Sequence, residues 1–130
     1  MGIYLQADWA AKEGTDKDFI VAVGNITFGI GGGTGYKVPE GKTLFLTHFL
    51  FSIWADASAD GDKNQMGIAY IKDHDSGFVI AQIGGNGGAS VVFNKPLIFA
   101  EDETMDYYIM SFANHTTNGK ISAHGFEVSS

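Results

Sequence analysis

Apolar residues along the chain fall into short runs, rich in β-branched and aromatic types, separated by glycine-rich or charged breaks. Residues 19–30 form the first such run and end at the glycine cluster 31–35. This predicts a strand followed by a turn, because β-branched side chains suit a pleated surface and glycine tolerates sharp reversal. Pro39 and Gly41 supply the next turn and lead into residues 42–54, the strongest strand signal in the chain. Strict alternation there sets Phe45, Phe49, Phe51 and Ile53 on one face. It sets Leu44, Leu46, Leu50 and Trp54 on the other, interrupted by His48 and Ser52. Both faces then need cover.

Residues 65–72 and 78–83 flank a five-residue connection ending in Gly77 and predict a β-hairpin. A further glycine cluster, 84–88, separates that hairpin from runs 89–94 and 96–99. The final runs, 105–113 and 120–128, are joined by 114–119, whose Asn118-Gly119 pair accepts the positive φ of a tight reversal. About eight short strands at such spacing, with no helical period between them, predict an all-β domain. Its architecture is an antiparallel two-sheet sandwich, jelly-roll-like. Residues 1–18 show no sustained period and are assigned as an N-terminal arm, with the sandwich domain at 19–130.

Composition narrows the function classes. The 130 residues, 45% of them hydrophobic, suffice for one core and leave no room for a second domain. Without cysteine there is no disulfide framework, thiolate metal site or cysteine nucleophile. The net charge is −7 and the eight basic residues are all lysine, a composition that argues against a nucleic-acid partner. No run reaches the roughly 20 apolar residues of a membrane-crossing helix, and residues 1–18 lack the pattern of a secretory leader, so no membrane partner is expected.

Candidate chemistry is sparse. Gly41-Lys42-Thr43 has the ending of a phosphate-binding loop, but Tyr36 stands where that loop needs its first glycine, and a strand follows in place of a helix. Asp56, Ser58 and Asp60, followed by Gly61, place oxygens as a calcium loop does, yet the twelfth position is Gly67 instead of a carboxylate. The histidines at 48, 74, 115 and 124 show no metal-binding spacing. His48 is expected at a sheet face or a seam between subunits. Glu101, Asp102, Glu103 and Asp106 read as a charged turn more simply than as a glycosidase pair. No nucleophile elbow is present. These features predict a protein that is not an enzyme and needs no cofactor. Tyr4, Trp9, Tyr36, Trp54, Tyr107 and Tyr108 are candidate platform residues for the main alternative, a carbohydrate-binding module assisted by calcium at Asp56, Ser58 and Asp60.

The strings YKVPEGKTLFLT (36–47), NKPLIFAEDET (94–104) and GKISAHGFE (119–127) resemble the small β-sandwich accessory proteins of tailed phages, of the capsid decoration, head-fibre and tail-adaptor types. That resemblance implies a structural protein of the virion surface, commonly trimeric, with a capsid or tail protein as partner and no catalytic residues. The two-sided apolarity of residues 43–54 and 105–113 independently predicts a homo-oligomer. Its expected interface comprises Leu44, Leu46, His48, Leu50, Trp54, Tyr108, Met110 and Phe112.

Overall fold

In the computed structural model, which describes residues 14–26, 29–31, 35–55, 65–113 and 115–129, the predicted runs become nine β-strands with no helix among the described residues. They are β1 (Thr15–Ile26), β2 (Gly29–Gly31), β3 (Tyr36–Lys37), β4 (Lys42–Ala55), β5 (Met66–Asp73), β6 (Val79–Asn86), β7 (Gly88–Phe99), β8 (Thr104–Ser111) and β9 (Thr117–Ser129). One sheet has the order β1-β9-β4-β7; the other has the order β2-β8-β5-β6, with β3 also paired to β8. All pairings are antiparallel. β2 and β3 lie end to end along β8, so they fill a single strand position. Successive strand positions therefore alternate between sheets except at the β5–β6 hairpin, which is jelly-roll topology.

The sandwich interior is built from the inward positions of both sheets. Leu44, Leu46, Phe49, Phe51 and Ile53 of β4 face Ala69 and Ile71 of β5 and Met105, Tyr107 and Ile109 of β8, each of them 5% exposed or less. Full burial of a Leu, Ile or Phe side chain contributes about 1.5–3 kcal/mol, and the chain relies on this because it has no disulfide.

Strict alternation fails in β4 because the strand carries a β-bulge. Leu46 pairs with Gly125 and His48 with His124, leaving Thr47 as an extra residue without a partner on β9. The odd residue reverses the parity of everything before it. Leu44 and Leu46 consequently join Phe49, Phe51 and Ile53 in the core, correcting their assignment to the interface. Phe45 leaves the predicted core face for the outer one.

Four boundaries also differ. β1 begins at Thr15, so residues 15–18 pair with β9 although their polar composition suggests an arm; charged residues are usual on an edge strand. The run 19–30 is divided between β1 and β2, which enter different sheets. Runs 89–94 and 96–99 are one strand, β7, with an irregularity at residues 93–96 opposite Thr47. Asn118 and Gly119 lie inside β9, paired with Trp54 and Ile53, and form no turn. A Cβ at Gly119 would stand 2.6 Å from Ile109 Cδ1, so glycine serves there to let the two sheets approach. The glycine cluster 84–88 marks the crossing between sheets, with Gly87 alone separating β6 from β7 at a φ of 82°.

Candidate assembly surface

The outward positions of the β1-β9-β4-β7 sheet line up in rows across the four strands. One row reads Asp16, Phe126, Phe45, Ile98; the next, past the bulge, reads Asp18, His124, His48, Val92; the third reads Ile20, Ser122, Leu50, Ser90. Below them lie Lys120 and Ser52, and then Asn118 beside Trp54. Val92 is 78% exposed, Ile20 54%, Ile98 52% and Trp54 44%. Phe45 stacks on Phe126 with ring centroids 5.2 Å apart. Large apolar side chains thus occupy adjoining rows of one open face.

At the centre of that face, His48 and His124 stack with centroids 4.6 Å apart and an interplanar angle of 15°. The hydrogen bonds define their tautomers. Thr47 Oγ1 donates to the His124 carbonyl at 3.1 Å, so it accepts from His48 Nδ1 at 3.0 Å. His124 Nδ1 donates to Asp18 Oδ1 at 2.6 Å, which leaves Nε2 of neutral His124 to accept from Ser122 Oγ at 3.0 Å. Burial lowers the His48 pKa below its ordinary value; His124 lowers it further and Asp18 acts against both. His48 faces outward by simple alternation from core Phe49, and the register of β4 on β9 sets it against His124. They stand 76 positions apart in the sequence, which conceals this pair, because only strand register brings them together.

The other predicted interface residues lie on the opposite side of the sandwich. Tyr108 and Met110 point outward from β8, and Phe112, 40% exposed, follows that strand. Met110 adjoins Ile30 and Ile68, and Tyr108 stacks on Tyr70 with centroids 5.4 Å apart. The eight residues expected to form one interface are therefore divided three ways. Leu44 and Leu46 are core, His48, Leu50 and Trp54 share the first outer face, and Tyr108, Met110 and Phe112 belong to the second.

Tyr108 has the Tyr70 ring stacked against it and the Lys72 ammonium 5.1 Å from its centroid, both from β5. Tyr107 is core, at 5% exposure. Tyr36 packs on Phe19, and its hydroxyl donates to Glu127 Oε2 at 2.5 Å. Burial first, then Glu127, pushes its pKa up to about 12. Tyr4, Trp9 and the calcium candidates Asp56, Ser58 and Asp60 lie outside the described residues.

Three of the four acidic cluster residues are engaged by donors of the protein itself. Glu101 Oε2 accepts from Gly41 N at 2.7 Å, and Glu103 Oε1 accepts from Ala100 N at 2.7 Å. Asp106, its side chain 3% exposed, accepts from His74 Nδ1 at 2.7 Å. Among the described residues no group of three or more His, Asp or Glu could hold a metal ion.

No family model and no curated protein matches the chain. Among solved structures it is similar to the core of Drosophila NLP, described with pentamer formation and histone binding. That match has 13% identity, covers 87% of this chain and 99% of that one, and has a TM-score of 0.44. A chain of the cyanophage Pam1 capsid asymmetric unit is 12% identical over 88% of this chain and 86% of that one, with a TM-score of 0.49. The virus-like particle of Macrobrachium rosenbergii extra small virus gives 11%, 88%, 80% and 0.39 in the same order. Capsid proteins of all-β fold and a histone-binding pentamer stand side by side in this set. Fold likeness at this level does not select a function, which has to come from this chain's own surfaces.

Proposed function

We propose that this protein is a non-enzymatic structural component that acts by self-assembly, as a capsid or tail accessory protein of a virion. The observation that carries the reading is the outer face of the β1-β9-β4-β7 sheet, where Ile20, Phe45, Leu50, Val92 and Ile98 lie in adjoining rows and Trp54 lies beyond the Lys120–Ser52 row. Such a surface works by covering area, and exposed apolar patches of this kind mark protein contacts. The acidic residues offer no counter-indication, since Glu101, Glu103 and Asp106 are engaged with the protein's own donors. The virion setting, and a trimer as the expected assembly, come from the resemblance of residues 36–47, 94–104 and 119–127 to phage accessory proteins.

Light scattering at micromolar concentration tests the assembly. The expected mass is three times the 13.9 kDa of one chain. A twofold mass would overturn the trimer alone, and a single-chain mass would overturn self-assembly. Density-gradient purification of particles tests the setting: the protein is expected to band with them, and recovery only in the free fraction overturns the virion role.

A further inference from the structure

The net charge of −7 makes copies of this chain repel one another, so a contact between them belongs where charge is lowest. Around the outer face of the β1-β9-β4-β7 sheet, the charges stand on Asp16 and Asp18 of edge strand β1, on Lys120 two rows from the histidines, and on exposed Lys95 in the unpaired stretch of β7. The paired outward positions of β4 and β7 carry no carboxylate or ammonium at all. They are Phe45, His48, Leu50, Ser52 and Trp54, beside Ile98, Val92 and Ser90. An uncharged apolar surface has no means of steering an acidic or basic partner, whereas the same face on other copies of this chain, gathered about a shared symmetry axis, matches it. The whole outer face, with β1 and β9 as its flank, has the size for the task. Four strands about 4.8 Å apart and some ten residues long span roughly 650 Å² in projection, before side-chain relief is added. A standard interface takes about 800 Å² from each partner.

At the centre of the face stand two ionisable side chains, His48 of β4 and His124 of β9. Neutral, His48 and His124 are two flat rings with Nδ1 of each satisfied within its own chain. Protonated together, they are two cations on rings 4.6 Å apart with a single carboxylate, Asp18, bonded to one of them. The other charged groups of the described residues around them are Asp16 one row away on β1, Lys120 on β9, and exposed Lys95 in the β7 irregularity. The inward neighbours, Phe49 and Ala123, bring no charge. Covering this pair with a second copy removes the water that would otherwise solvate the cations.

Building on the self-assembly reading, we propose that the outer face of the β1-β9-β4-β7 sheet is the contact between copies, and that the stacked His48–His124 pair at its centre releases that contact on acidification. Virion accessory proteins with such a contact would hold at neutral pH and let go in an acidic compartment.

Sedimentation of the full chain at about pH 8 and about pH 5, with circular dichroism confirming the folded state at both, tests this. Wild type is expected to be assembled at the higher pH and single at the lower. Val92→Glu, at a position open to solvent, is expected to stay folded and to weaken association at least about tenfold at the higher pH. His48→Gln removes the second cation while leaving His124 with Asp18, and is expected to stay assembled at both.

A wild type that is single at about pH 8 overturns the self-assembly reading, and this proposal with it. An unaffected Val92→Glu overturns the face while leaving self-assembly standing. Wild type assembled at both pH values, or His48→Gln dissociating as wild type does, overturns the role of the histidines.

Discussion

Leu46 and Leu50 of β4 are four residues apart, so strict alternation places them on the same face and gives their truncations the same character. The bulge at Thr47 places them on opposite faces instead: Leu46 is 0% exposed in the core, and Leu50 lies outward between Ser122 and Ser90. Leu46→Ala leaves a cavity walled by both sheets and is expected to cost about 3 kcal/mol. Leu50→Ala removes a half-covered side chain, leaves no enclosed cavity, and is expected to cost about 1 kcal/mol. For 130 residues, unfolding entropy is about 0.27 kcal/mol/K, so the two changes correspond to Tm losses of about 11 °C and about 4 °C. Thermal melts followed by circular dichroism are the assay. Both substitutions are made on Val92→Glu, so that loss of association does not add to the loss at Leu50. Equal losses, or a larger one for Leu50→Ala, would refute the placement of the bulge and with it the composition of the outer face.

Gly125 of β9 sits opposite the same irregularity, where a Cβ would run into the Phe45 carbonyl oxygen and carbon of the neighbouring strand. Gly125→Ala is expected to lower Tm by at least about 10 °C, because backbone must shift to admit it; a melt within about 2 °C of the parent would show that the strands have slack there. The pair formed by His74 and Asp106 gives stability of the opposite pH sense to His48. Its hydrogen bond and then the Asp106 charge raise the His74 pKa above 6.5. The folded state therefore holds the proton more tightly than the unfolded chain does. That stabilisation is full below about pH 6.5 and is lost as pH rises through the raised value. The Tm difference between wild type and Asp106→Asn is expected to shrink from about pH 5.5 to about pH 8.5; a constant difference would show that the ion pair contributes nothing.

The all-β class was legible in the sequence because it depends on local chemistry: β-branched runs, glycine-rich breaks and the absence of a 3.6-residue period are properties of neighbouring residues. The β5–β6 hairpin was legible for the same reason, its two strands being joined by a short connection. Which face of a strand meets the core was not, because one unpaired residue reverses the parity and nothing in the residues around Thr47 announces it. The separation of β8 from β4 onto different sheets likewise depends on which strands pair, so side chains with equal apolar character became core at Leu46, one outer face at Leu50 and the opposite face at Met110. The candidate site is furthest from the sequence. His48 and His124 carry no motif, and they meet only because β4 and β9 pair in one register, a choice made by the burial of whole sheet faces and not by either histidine.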